Sequence, residues 1–158
     1  MTTSITTTAP FPVTISGLVV TMTPSTSDSG TYSATVTISD GANTAVTSTF
    51  SITLVNLPPA FATPPVTQSI SVGNTVPYPL PAAVDPEGAT VIITLSSPAL
   101  FISLSGTNII MTPSLSLITD IGTFVVTLTL SDGFNIVTVT FNVVVANLPP
   151  AFSSAPIA

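Results

Sequence analysis

The chain has 158 residues, 45% of them hydrophobic and only 4% charged, with six carboxylates and no Lys, Arg or His. That composition supplies packed cores but excludes nucleic-acid binding and attraction to anionic membranes, both of which rest on Lys and Arg. Cysteine is also absent, so there is no disulfide framework and no thiol chemistry.

Met1 is followed by a hydroxyl-rich run (Thr2, Thr3, Ser4, Thr6, Thr7, Thr8) and not by a basic segment and an apolar core, so no signal peptide is read there. The start is expected to be a mature boundary or the edge of a window on a longer chain. Downstream, apolar and polar residues alternate at period two, the pattern of half-buried strands. Tyr32, Ala34, Val36 and Ile38 are predicted to point inward, with Thr31, Ser33, Thr35, Thr37 and Ser39 outward. Asp40-Gly41 follows, a dipeptide suited to tight hairpins, and Phe50, Ile52 and Leu54 continue the inward face on the next strand. After the linker Asn56-Leu57-Pro58-Pro59-Ala60-Phe61, Asp85-Pro86-Glu87-Gly88 has the order of a β-turn, with Pro second and Gly fourth. Phe124, Val126, Leu128 and Leu130 form the next inward face. Asp132-Gly133 makes the turn, and Val137, Val139, Phe141, Val143 and Val145 return. No helical period appears, and Thr, Ser or Asn interrupts every apolar run short of the about 20 residues a spanning helix needs. With 6% aromatics and no Trp, the girdles of an outer-membrane barrel are also missing, so membrane insertion is not expected.

These features repeat. Asn56–Phe61 recurs intact at Asn147–Phe152, Ser39-Asp40-Gly41 at Ser131-Asp132-Gly133, and Met22-Thr23-Pro24 at Met111-Thr112-Pro113, all offset by about 90 residues. The expected fold is all-β: tandem Greek-key β-sandwiches of about 90 residues, the first copy incomplete. Residues 1–57 are expected to form a domain without its first strands, because Thr2 to Thr8 align with Val91 to Ser97. Residues 58–66 are a Pro-rich linker and the start of the next domain, 67–148 a second domain, and 149–158 a further linker, repeat start or donor segment.

The order Pro64-Pro65-Val66, Val72-Gly73-Asn74, Asp85-Pro86-Glu87-Gly88, Phe101, Asp120-Ile121-Gly122-Thr123, Ser131-Asp132-Gly133, Asn147-Leu148-Pro149-Pro150 resembles cadherin-like, immunoglobulin-like repeats of the dystroglycan type. The resemblance implies a sandwich fold and a place in a large surface or secreted protein. Asp28-Ser29-Gly30-Thr31-Tyr32 also resembles the tyrosine corner of such sandwiches, in which the Tyr hydroxyl bonds to nearby backbone. Phe124 holds the matching place in the second copy, without a hydroxyl.

No catalytic site is expected. His, Lys and Cys are missing as acid–base groups, and a Ser or Thr nucleophile would lack its base. Asp85 and Glu87 are close enough in sequence to suggest a glycosidase pair, but a turn accounts for them. No cofactor is expected apart from calcium as the alternative, since it takes Asp, Glu, Asn and carbonyl oxygens. Calcium-binding cadherin repeats carry ligands before a Pro-x-Phe linker, and the resemblance leaves Asn56 and Asn147 there, with Asp85 and Glu87 as candidates to join them.

Thr and Ser make up about a third of the chain, where soluble sandwiches usually guard strand edges with Lys or Glu. Such a surface is an aggregation hazard unless it is glycosylated or its edges are paired in an assembly. No Asn-x-Ser/Thr triplet occurs. O-linked carriers are therefore Thr2, Thr3, Ser4, Thr6, Thr7 and Thr8, together with Pro58, Pro59, Pro149 and Pro150 once hydroxylated. The expected partners are copies of the chain itself, joined head to tail by strand complementation or by continuity in a polyprotein. The expected role is a non-enzymatic structural subunit of an extracellular or cell-surface fibril. The alternative is a calcium-stiffened adhesin.

Overall fold

Period-two alternation needs a sheet with one face covered, and each half of the chain builds one. The computed structural model describes residues 1–150. Strands make up the fold, and the one helical element among the described residues is a 3₁₀ turn at Ile118–Asp120. The described residues divide into two compact units: Met1–Leu57 with Glu87–Ala89, and Pro58–Pro86 with residues 90–150.

The first unit contains β1 (Thr2–Thr7), β2 (Val13–Ser16), β3 (Val19–Met22), β4 (Gly30–Ser39) and β5 (Val46–Leu54). One sheet has the order β1-β4-β5, all antiparallel, and β2 and β3 form a second, two-stranded sheet. The core consists of Phe11, Ala34 and Ile52, with Ile5, Ala9, Val13, Tyr32 and Leu54 packed around it.

The second unit contains β6 (Ala60–Phe61), β7 (Gln68–Ser71), β8 (Val76–Pro79), β9 (Ala83–Val84), β10 (Ile92–Ser96), β11 (Ile102–Ser105), β12 (Asn108–Met111), β13 (Gly122–Ser131) and β14 (Ile136–Ala146). Its sheets are β10-β13-β14-β7 and β11-β12-β8, with the small pair β6-β9. From β10 the chain crosses to β11 and β12 and then returns to β13, the connection of a Greek-key sandwich of the immunoglobulin-like, cadherin-like kind. Ile109, Met111, Val126, Leu128, Leu130 and Val143 are fully buried between the sheets. Each such side chain contributes about 1.5–3 kcal/mol through removal from water.

β10 to β14 repeat β1 to β5 in order and pairing, and the second unit adds β7 on the outer edge of β14 and β8 on the outer edge of β12. Those additions decide how well the alternation is realised. Along β13 and β14 every predicted inward residue is buried or half-buried. Along β4 and β5, Ala34 and Ile52 are buried, but Val36 and Ile38 are only half-buried and Phe50 is 38% exposed. Phe50 thus faces the inward side, opposite Ala34, but is not buried there. Two short strands, β2 and β3, cannot cover the end of a sheet with strands of ten and nine residues.

The tyrosine corner forms in the first unit. The Tyr32 hydroxyl donates to the Ser29 carbonyl at 3.1 Å, and its ring meets Phe11 edge-on at 5.4 Å. Gly30, at φ 140°, brings the backbone past this hydroxyl, and a Cβ there would lie 3.3 Å from it. The second unit keeps the aromatic pair as Phe101 and Phe124, edge-on at 5.0 Å, without the hydrogen bond. Tyr32→Phe is expected to destabilise the first unit by about 1 kcal/mol, the net worth of one hydrogen bond, as read from urea unfolding.

Candidate functional site: carboxylate turns and a bare strand edge

The carboxylates all lie outside the strands, and four of them organise turns in matching pairs. After β4, Ala42 N and Asn43 N donate to Asp40 Oδ1 at 3.0 and 2.9 Å, and Asn43 Nδ2 donates to Oδ2 at 2.8 Å. After β13, Phe134 N and Asn135 N donate to Asp132 Oδ1 at 2.7 and 2.6 Å. Before β4, the backbone N–H and hydroxyl of Ser25 both donate to Asp28 Oδ2 at 2.7 Å. Before β13, Ser114 N donates to Asp120 Oδ2, also at 2.7 Å. This Ser–Asp clasp was missed in the sequence, because Ser25 and Asp28 are three residues apart while Ser114 and Asp120 are six apart.

The amide and side chain of Asn43, with the amide of Ala42, hold the Asp40 carboxyl down to about 2. The Ser25 amide and hydroxyl likewise lower Asp28. A carboxyl depressed by folding stabilises the fold above its unfolded value, near 4. That contribution is lost as pH falls through the folded value. The melting temperature is expected to hold between pH 7 and 5 and to drop toward pH 2, with a smaller drop in Asp40→Asn.

The calcium candidates are distributed over these units. Asn56 and Glu87 belong to the first, where Leu57 N donates to Glu87 Oε2 at 3.1 Å. They line a cleft of about 270 Å³ with Ser25, Asp28 and Ser29. Asp85 is half-buried in the second unit, ahead of the turn at Pro86 and Glu87, where Gly88 takes φ 81°. Asn147 is exposed after β14. Among the described residues no three acidic side chains converge as a metal-binding set.

Of the expected glycan carriers, Thr2, Ser4, Thr6 and Thr8 are exposed, while Thr3 and Thr7 are half-buried. The Thr7 hydroxyl donates to the Ser33 carbonyl at 3.0 Å, and Thr8 Oγ1 accepts from Ser33 N at 2.9 Å. Pro58, Pro149 and Pro150 are exposed, whereas Pro59 is fully buried, and a sugar there would have to displace its packing. The expected donor segment lies outside the described residues from 151 onward.

The most distinctive surface is the outer edge of β5. In the second unit the matching edge of β14 is covered by β7, which runs parallel with Val143↔Gln68, Val144↔Ser69, Val145↔Ile70 and Ala146↔Ser71. Ile70 is thereby buried in the core. By the repeat, Val143–Ala146 correspond to Ile52–Val55. Among the described residues β5 pairs only with β4, which leaves its other edge without a strand partner there over nine residues that contain no charge, Pro or Gly. Val46 is 69% exposed, and Val55 and Leu57 are also exposed. The sheet face away from the core is a hydroxyl lattice, in which Thr35 and Thr49 share a hydrogen bond of 2.9 Å across the strands.

No protein-family model matches the sequence, and no curated protein matches it. Among solved structures, the chain is similar to human mucin-like protocadherin EC1-2, at 18% identity over 92% of this chain and 85% of that one, with a TM-score of 0.45. It is similar to sidekick-1 immunoglobulin domains 1–5, at 18% identity over 93% and 33%, with a TM-score of 0.43. It is also similar to an endo-fucoidan hydrolase from glycoside hydrolase family 107, at 24% identity over 93% of this chain, with a TM-score of 0.46, and spans 24% of that chain's length. No helix among the described residues is long and apolar enough to cross a membrane.

Proposed function

We propose that the chain is a non-enzymatic structural element of an extracellular or cell-surface fibril, built from cadherin-like repeats of the dystroglycan type and joined head to tail with copies of itself. The observation that carries this reading is the β5 edge, nine residues long and without a strand partner, charge or Pro among the described residues. An uncharged edge of this length is a template for another strand, and native proteins blunt such edges unless they use them. A contact between two different surfaces of one chain propagates into a filament unless its rotation closes a ring. O-linked sugars at exposed hydroxyls such as Ser4 and Thr6, and at Pro58 once hydroxylated, would keep the strand faces solvated without charge.

A calcium-stiffened adhesin is the second reading, favoured by Asp28, Asn56 and Glu87 lining one cleft. Electron micrographs of the native material with and without chelator separate the two. Filaments that survive chelation, with density beyond the polypeptide, support the glycosylated structural element. Dispersed monomers, or rods that collapse when calcium is removed, support the adhesin.

A further inference from the structure

Resting on the head-to-tail reading, we infer that the acceptor is the outer edge of β5 at Ile52–Val55, and that its occupant is the segment Ser153–Ala158 of a second copy, added as a parallel strand. The second unit supplies the template. There β7 presents one apolar side chain, Ile70, to the core opposite Val145, whose counterpart on β5 is Leu54. Within 153–158 the sequence Ala155-Pro156-Ile157-Ala158 places one large apolar residue at the same point when Ile157 stands for Ile70.

Pro156 then falls where Ser69 stands, and this position tolerates proline. Val72 N donates to Ala146 O at 3.1 Å, so the alternation along β7 turns the amide of Ile70 toward β14 and that of Ser69 away. A proline there removes no ladder hydrogen bond and blunts the new outer edge. Neither the segment nor β5 carries a charged side chain, so no side-chain repulsion opposes the approach. Main-chain bonds would supply the affinity, and packing of Ile157 beside Leu54, at the margin of the Phe11, Ala34 and Ile52 cluster, would set the register.

The acceptor amides are those turned away from β4. By correspondence with Val144 and Ala146, they are Thr53 and Val55. The test is residue-resolved hydrogen exchange on the full chain with a synthetic peptide of residues 149–158 in excess, alongside its Ile157→Asp form, while sedimentation follows association of the chain. Exchange at Thr53 and Val55 is expected to slow at least tenfold with the native peptide and not with the Ile157→Asp form. The native peptide should also cap the chain and reduce its association. If the chain associates but neither amide responds, the assigned contact is overturned while the head-to-tail reading stands. If the chain stays monomeric at every concentration and the peptide has no effect, both are overturned. Protection already present in the monomer, and lost on Ile157→Asp in the full chain, overturns the assignment to a second copy.

Discussion

Leu128→Ala is expected to destabilise the second unit by about 3 kcal/mol, while Val36→Ala, its counterpart in the repeat, costs the first unit less than about 1 kcal/mol. Both side chains lie on the central strand of their sheets, two turns of the alternation beyond Tyr32 and Phe124. Leu128 is fully enclosed, so truncation leaves a cavity that its neighbours cannot close. Val36 is only half-buried, on a face that β2 and β3 fail to cover, so water already reaches its methyl groups. Urea unfolding of the two variants, followed by circular dichroism, checks the contrast. Equal losses would mean that something covers the first unit's face in solution.

The second large effect concerns the edge itself. Thr53→Pro is expected to weaken self-association at least tenfold, or about 1.4 kcal/mol. The Thr53 amide points away from β4, so proline removes a donor to an incoming strand and keeps the β4–β5 ladder. Thr47→Pro, on the same edge but outside Ile52–Val55, is the control and should associate as the parent does. Sedimentation velocity over a range of concentrations reads both. Equal weakening by the two variants would place the contact elsewhere on the edge.

The sheet strands were legible because their alternation is long: β13 and β14 carry nine inward residues between them, and two Asp-Gly turns mark the hairpins. The strand β7 was not legible. Four residues with a single inward Ile carry no period, and its parallel pairing joins segments more than seventy residues apart. The exposure of Phe50 was not legible, because alternation fixes which side of a sheet a residue faces and says nothing about whether that side is covered. The carboxylates were read as turn formers or calcium ligands, and the turns at Asp40 and Asp132 follow from local spacing. The clasps at Asp28 and Asp120 depend on loop paths that differ in length between the repeats. Asn56 and Glu87, thirty-one residues apart, line one cleft through the path of the folded chain, which neither residue's neighbours in sequence indicate.

The confinement of every charge to turns has a colloidal consequence. An ordinary protein acidified past its isoelectric point becomes cationic and regains mutual repulsion. This chain has no basic side chains, so protonating its six side-chain carboxylates leaves no charged side chain at all. Its solubility minimum is therefore a plateau that extends to the lowest pH. Over that plateau Thr- and Val-rich faces meet with nothing to hold them apart, so acid should consolidate an assembly of these chains rather than disperse it.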